Sequence, residues 1–205
     1  MKTIGLVGGV ASGKSLVAKM LVDLGAGLLD ADRTGHAVLA EDAEVHEALR
    51  RQWSDAVFTS DGAVDRAALA HRIFAPGEAA RADREFLEQL LHPRIGRRLE
   101  ELGRQFAIAG KPAVVLDAPV LLEAGWGPMC DILVMVEAPR ELRLQRAMQR
   151  GWSEAEFARR EAVQWPVEEK HRAANVVIAN NGTENDLRRS VQKFWGQHIA
   201  PPSST

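Results

Sequence analysis

The segment Gly8-Gly-Val-Ala-Ser-Gly13-Lys14-Ser15 constrains this chain more than any other. An apolar, β-rich run, Thr3–Val7, precedes it, and Leu16–Leu24 follows with apolar residues at 16, 17, 20, 21 and 24, a helical spacing. Strand, glycine loop and helix in that order are what a phosphate-binding P-loop requires. Gly8 and Gly13 let the backbone turn N–H groups inward on a phosphate, and a helix starting near Lys14 adds the positive end of its dipole. Lys14 then reaches the β- and γ-phosphates, and the Ser15 hydroxyl ligates a magnesium ion. The bland alternative is a structural glycine turn ahead of a buried helix. The complete eight-residue pattern in this context favours the phosphate loop.

At 205 residues, the chain suits one α/β domain with insertions, or a core with a small subdomain. Hydrophobic residues make up 46% and charged residues 26%, a globular balance. A net charge of -2 argues against a general nucleic-acid binder, so any anion site is local. Cys130 is the one cysteine, which rules out an intramolecular disulfide and a cysteine-rich metal site. The apolar N-terminal run is short, broken by glycines and closed by Lys14, unlike a signal peptide. No stretch approaches the ~20 apolar residues of a membrane span. The expectation is a cytoplasmic protein with no membrane and no nucleic-acid partner, its oligomeric state open.

Downstream, Gly25 reads as a helix stop, and Leu28-Leu-Asp30-Ala-Asp32 as a short buried strand ending in two carboxylates. Two apart on extended chain, Asp30 and Asp32 would project to one side, where ligands sit in open parallel sheets. Either could accept a hydroxyl proton or hold magnesium; the competing role is capping the helical segment Arg33–Leu39. From about Glu41 to Gly110 the pattern is helical. Asp61-Gly62 marks a turn, Asp65 an N-cap, and Pro76-Gly77 a helix end. Pro93 is expected to interrupt the long helix that follows, placing His92 at a kink or start, either as a functional group or in a capping or packing role. Seventy helical residues between the second and third strands suggest an acceptor-binding insertion.

Lys111–Asp117 reads as the third strand, with Asp117 as a Walker-B-like carboxylate beside Ser15 or, equally, a turn former. Ala118–Trp126 supplies an apolar wall with one carboxylate, Glu123, and Ile132–Val136 the fourth strand. Arg143, Arg146 and Arg150 recur at helical spacing after Pro139, matching either phosphate oxygens or a solvated basic face paired with Glu141 and Glu154. Ser153-Glu-Ala-Glu156 is a capping-box start for a helix running to Gln164. Joined at Arg150-Gly-Trp152, the two helices form a hairpin able to act as a lid. Asn175–Ala179 is the fifth strand, Asn180-Asn-Gly182 a turn, Thr183 the cap of a last helix to about Trp195, and the end of the chain a disordered tail.

These pieces suggest a P-loop kinase of a small acceptor, and together they resemble the dephospho-CoA kinases of coenzyme A biosynthesis. The resemblance is carried by Gly5–Ser15, Asp30-Ala-Asp32, His92-Pro-Arg-Ile95, Pro119-Val-Leu-Leu-Glu123, Arg146–Arg150, Gln164 and Val177–Gly182. It implies transfer of the γ-phosphoryl group of ATP to the ribose 3′-hydroxyl of dephospho-CoA, with magnesium. The implied fold is α/β, an adenylate-kinase-like core of five parallel strands flanked by helices, with a helical acceptor-binding insertion and a helical lid. Residues 1–32, 111–138 and 174–198 would form the core, 33–110 the CoA region, 139–173 the lid and 199–205 the tail.

By resemblance Asp32 is the base that positions or deprotonates the acceptor hydroxyl. Lys14 and Arg146 stabilise the transferring phosphoryl group, with Arg143 a helper. Gly8, Gly9, Val10, Ala11, Ser12, Gly13, Lys14, Ser15 and Leu16 bind nucleotide, and Asn180 borders the adenine. His92, Pro119, Leu121, Leu122 and Glu123 belong to the acceptor site, and Ser15 and Asp117 to magnesium. The chain departs from the family pattern at Val7, where threonine is frequent, at Leu122, where phenylalanine is, and at Asn175, where aspartate is usual. Two other functions share the core motif: a kinase of another small nucleotide or nucleoside, and a nucleotide-dependent switch. The chain has no Asn-Lys-x-Asp guanine-specificity motif, which disfavours a GTP switch.

Overall fold

The computed structural model describes residues 1–200. Five strands, β1 (Lys2–Val7), β2 (Gly27–Asp30), β3 (Ala113–Asp117), β4 (Ile132–Glu137) and β5 (Val176–Ala179), form one all-parallel sheet in the order β2-β3-β1-β4-β5. Parallel strands need crossovers, and most of them are helical: α1 (Lys14–Asp23) joins β1 to β2; α2 (Ala31–Glu41), α3 (Ala43–Trp53), α4 (Arg66–Ile73) and α5 (Glu78–Ile108) lie between β2 and β3; α6 (Arg140–Gln149), α7 (Glu154–Ala162) and α8 (Val167–Ala173) lie between β4 and β5; and α9 (Glu184–His198) follows β5. The α/β fold expected from the sequence is therefore observed. The chain forms two compact units, one of Met1–Asp30 with the chain from Leu102 onward, the other of Ala31–Glu101.

In the first unit, Ile4, Leu6, Val115, Val134 and Val136 bury their side chains against Val17, Met20 and Leu21 of α1 and Leu187, Val191 and Phe194 of α9. The central strands are apolar on both faces because helices cover both. Gly25 (φ 112°) ends α1 in a Schellman turn, with Ala26 N donating to Leu21 O and Gly25 N to Val22 O. Gly27 must be glycine for another reason. A Cβ there would stand 2.5 Å from the Phe106 ring.

In the second unit, Asp65 caps α4 by accepting from Ala67 N and Ala68 N, as its position in the sequence predicts. Trp53 is buried, and its indole N–H donates to Asp83, which also pairs with Arg72 at 2.7 Å.

Several local expectations change. Asp32 is not on extended chain: β2 stops at Asp30, and Asp32 lies in the first turn of α2. The expected break at Leu91–Ile95 is absent, because the 31-residue helix α5 runs unbroken through Pro93. Proline removes the N–H that would reach the Gln89 carbonyl, so the helix continues at the cost of that backbone bond. α7 ends at Ala162 and is followed by a separate helix, α8, with Pro166 as its N-cap. Ser153 caps α7, but Glu156 turns to Arg160 instead of completing a capping box; the full box is Thr183–Asp186 at α9. Of the expected tail, Ile199 and Ala200 are fastened to the end of α9 through Trp195 O, and residues 201–205 lie outside the described residues.

Candidate active site

The loop between β1 and α1 supplies the backbone of the site. Gly13 is the N-cap of α1 at φ 101°, and Ala11 also takes a left-handed conformation at φ 58°. Those turns wrap the loop tightly, and Ser12 N donates to Gly9 O at 3.2 Å. Lys14 folds back along it, its Nζ 3.1 Å from Gly8 O and 3.3 Å from Gly9 O. Burial pushes the Lys14 ammonium down to about 8, helped by Lys170 and Arg143 and opposed by Asp117 and Glu123. Ser15, the next residue of α1, is exposed.

Asp30 and Asp117 are register partners at the ends of adjacent strands. Side chains at paired positions share a face, so these two carboxylates are neighbours on the sheet. Asp32 lies in the first turn of α2, in the second unit. His92 lies on α5, half-buried, and burial pulls its imidazole below the usual value against an opposing contribution from Glu88.

The arginines of α6 reach the loop from the side. Arg143 is 4% exposed; its Nη1 donates to Val10 O at 3.2 Å and to Glu161 Oε1 at 2.6 Å, and its Nε to Ala138 O. A Cβ on Gly9 would lie 2.6 Å from that guanidinium, so the second glycine makes room for an arginine. Phe157 of α7 is fully buried against Val10 and Ala147, which seats the α6–α7 hairpin on the loop. Arg146 donates to Ser12 O (3.3 Å), Asn180 O (3.0 Å) and Asn180 Oδ1 (3.3 Å). Asn180, directly after β5, closes the ring by donating from Nδ2 to Ser12 O at 2.7 Å.

The wall after β3 divides. Leu121 is buried beneath Gly5 of β1 and belongs to the core, whereas Pro119, Leu122 and Glu123 are only partly covered. Glu123 Oε1 accepts from Trp165 N (2.7 Å) and Lys170 Nζ (3.0 Å). Lys170 and Glu161 were not legible as site residues. A single lysine in Val167-Glu-Glu-Lys reads as surface, and only the fold shows it 2% exposed.

Comparison with known proteins now decides the family. The family model for dephospho-CoA kinase matches residues 2–186. The chain belongs to the dephospho-CoA kinase family. It is 38% identical to the dephospho-CoA kinase of Geobacter sulfurreducens over 204 residues, 97% of this chain and 100% of that one. Among solved structures, a Thermus thermophilus protein superposes with a TM-score of 0.79 at 34% identity, covering 97% of this chain and 98% of its own. The dephospho-CoA kinase of Campylobacter jejuni shares the fold, with a TM-score of 0.69 at 24% identity and 94% of each chain covered.

Of the departures from the family pattern, Asn175 is resolved by geometry. Its Oδ1 accepts from Leu133 N at 2.8 Å while its own N–H donates to Leu133 O. An aspartate would offer the same oxygen, so the bond that starts the β4–β5 pairing does not need a charge. Among the described residues, no helix is long and apolar enough to cross a membrane.

Proposed function

We propose that this chain transfers the γ-phosphoryl group of ATP to the ribose 3′-hydroxyl of dephospho-CoA, giving CoA and ADP. The observation that carries the reading is the family match over residues 2–186, coupled to a P-loop whose backbone and lysine have the geometry of a polyphosphate cradle.

Phosphoryl transfer needs little covalent work from the protein; positioning and charge neutralisation dominate. The N–H groups of the Gly8–Gly13 loop and the N-terminus of α1 hold the phosphates, and Lys14 exchanges its carbonyl partners for phosphate oxygens. Arg146 neutralises charge on the transferring group from a guanidinium already anchored beside Ser12. Arg143, bound to Val10 O and Glu161, acts by fixing the loop's shape. Asp32 aligns the acceptor hydroxyl and takes up its proton, and His92, Pro119, Leu122 and Glu123 contact the acceptor. Asn180 ties the adenine-side turn to the phosphate loop through Ser12.

The Ser15 hydroxyl and the Asp117 carboxylate, with Asp30 beside it, are hard oxygen donors of a kind that fits magnesium, which takes one or two carboxylates and shares its remaining positions with phosphate and water. When bound, magnesium would neutralise charge on the phosphate oxygens. Residues 33–110 serve as the acceptor region, and 139–173 as a lid that excludes water as a competing acceptor. The setting proposed is cytoplasmic.

The deciding experiment is ADP production from ATP and magnesium with dephospho-CoA, AMP, adenosine, a pyrimidine nucleotide or water as acceptor, with the product mass confirmed. Selective stimulation by dephospho-CoA with CoA as product is expected. A better rate with another nucleotide would reassign the acceptor and leave the P-loop core intact.

A further inference from the structure

Burying a lysine is costly unless its charge is matched or used. Lys170 sits in the short helix α8 at 2% exposure, with two polar partners, Glu123 Oε1 at 3.0 Å and Gln164 Oε1 at 3.0 Å. An ammonium carries three donors, so these two acceptors leave one N–H for a further acceptor. The carboxylate is used unevenly as well. Its Oε1 takes both Lys170 and the Trp165 backbone, whereas Oε2 is buried without a hydrogen-bond partner.

The placement of this pair is the second observation. Lys170 is linked to the phosphate loop by a chain of contacts: its acceptor Gln164 donates from N to Glu161 O at 3.1 Å, and Glu161 accepts from Arg143, which donates to Val10 O at 3.2 Å. In those surroundings the Lys170 and Lys14 ammonium charges oppose each other. Like charges drawn together in a partly buried pocket raise the energy of the protein alone, and an anion between them relieves that cost. Lys14 already marks the pocket as the polyphosphate cradle. A structural ion pair could occupy any other part of α8 without this repulsion.

We propose that Lys170 is a further phosphate-binding residue, its ammonium held by Glu123 and Gln164 so that its remaining N–H donates to an oxygen of the nucleotide's β- or γ-phosphate. Because α8 closes the segment that follows the α6–α7 hairpin, the contact also links the proposed lid region to the nucleotide. Glu123 is then a positioning residue for Lys170. The inference rests on the nucleotide-binding half of the proposed function and is independent of the acceptor.

The test is calorimetric titration of ATP, ADP and AMP, in magnesium, into the wild type and Lys170→Met, with thermal melting of both. A charge-assisted contact predicts roughly a tenfold or greater loss of affinity for ATP in the variant, with AMP affinity unchanged. Equal losses for ATP and AMP, or a lower melting temperature with nucleotide affinities unaltered, would mean the lysine only holds the fold and would overturn the proposal. Should the variant fail to fold, a crystal structure of the wild type with a non-hydrolysable ATP analogue and magnesium decides the matter. Lys170 Nζ within hydrogen-bond distance of a phosphate oxygen supports the proposal, and an ammonium still held by protein acceptors alone refutes it. Neither measurement uses dephospho-CoA, so a wrong acceptor would leave the result standing.

Discussion

The Asn180 side chain donates a 2.7 Å hydrogen bond to the carbonyl of Ser12, joining the end of β5 to the middle of the phosphate loop across 168 positions of sequence. The amide packs so closely that a Cβ on Gly13 would lie 2.2 Å from Asn180 Nδ2. The third loop glycine is therefore required twice, for its left-handed φ and for the asparagine beneath it.

Asn180→Ala should consequently weaken nucleotide binding without touching a phosphate. The variant leaves a buried carbonyl with one long contact from Arg146, a loss of about 1–3 kcal/mol on the usual scale for a buried hydrogen bond. ADP affinity, measured by calorimetry, is expected to fall by roughly tenfold, since about 1.4 kcal/mol is a factor of ten. Gly13→Ala should be more damaging than Asn180→Ala. Unchanged ADP affinity in both variants would remove the buttress from the account.

A second prediction concerns Arg143 and Glu161, whose side chains meet at 2.6 Å with 5% and 22% exposure. Removing one partner of a buried pair typically costs about 3–5 kcal/mol, because the other charge is left unmatched. Arg143→Met should lower stability to urea by an amount at the lower end of that range, since Glu161 retains some water and Arg140 at 3.1 Å. Arg143→Met with Glu161→Met should recover part of the loss. A double variant as unstable as the sum of the singles would show that the two residues do not act as a pair.

Cys130 offers a prediction in pH. Burial, reinforced by the Asp131 charge, pushes its thiol up to about 12, so at pH 8 on the order of one molecule in ten thousand carries the reactive thiolate. The native protein should react with a thiol-disulfide reagent at least a hundredfold more slowly than the urea-unfolded chain at that pH. Because the folded value lies above the unfolded one, the associated stability is intact below the ordinary thiol range. It is lost as pH rises from there towards about 12. Equal native and unfolded rates would mean that the thiol is open to solvent.

The parts of this protein legible in its sequence are those whose causes are local. The P-loop, the cap at Asp65, the glycine stop at Gly25 and the apolar strands each follow from neighbours within a few residues, and each appears where expected. Arg143, Arg146 and Asn180 could be nominated as site residues, but their partners lie between 5 and 168 positions away. What they bond to emerges only when β5, α6 and the loop are packed. Lys170 illustrates the limit most clearly. Its burial depends on Glu123, which follows a different strand, and a lysine in a charged heptapeptide carries no local sign of that.

Pro93 makes a test of that local logic. In isolation a proline ends a helix, yet α5 continues, so the helix carries a cost of up to about 3 kcal/mol relative to alanine, reduced by the rigidity proline gives the unfolded chain. Pro93→Ala should therefore raise the melting temperature by a few degrees, a net gain of about 1–2 kcal/mol. A lower melting temperature would show that packing around the proline ring, and not helix propensity, decides the energy at this position.

The sharpest prediction for catalysis is Asp32→Asn. The substitution keeps size and shape in the first turn of α2 but removes the charged carboxylate proposed to align the hydroxyl and take up its proton. Turnover with dephospho-CoA should fall by about two to four orders of magnitude, the usual contribution of a positioned base, while ATP affinity and melting temperature stay near wild type. Asp30→Asn separates the two carboxylates: as the register partner of Asp117 it should instead shift the magnesium concentration needed for half-maximal activity. A normally active Asp32→Asn enzyme would exclude that carboxylate from the transfer step. If Asp30→Asn alone abolished turnover at saturating magnesium, the proton-accepting role would move to the end of β2.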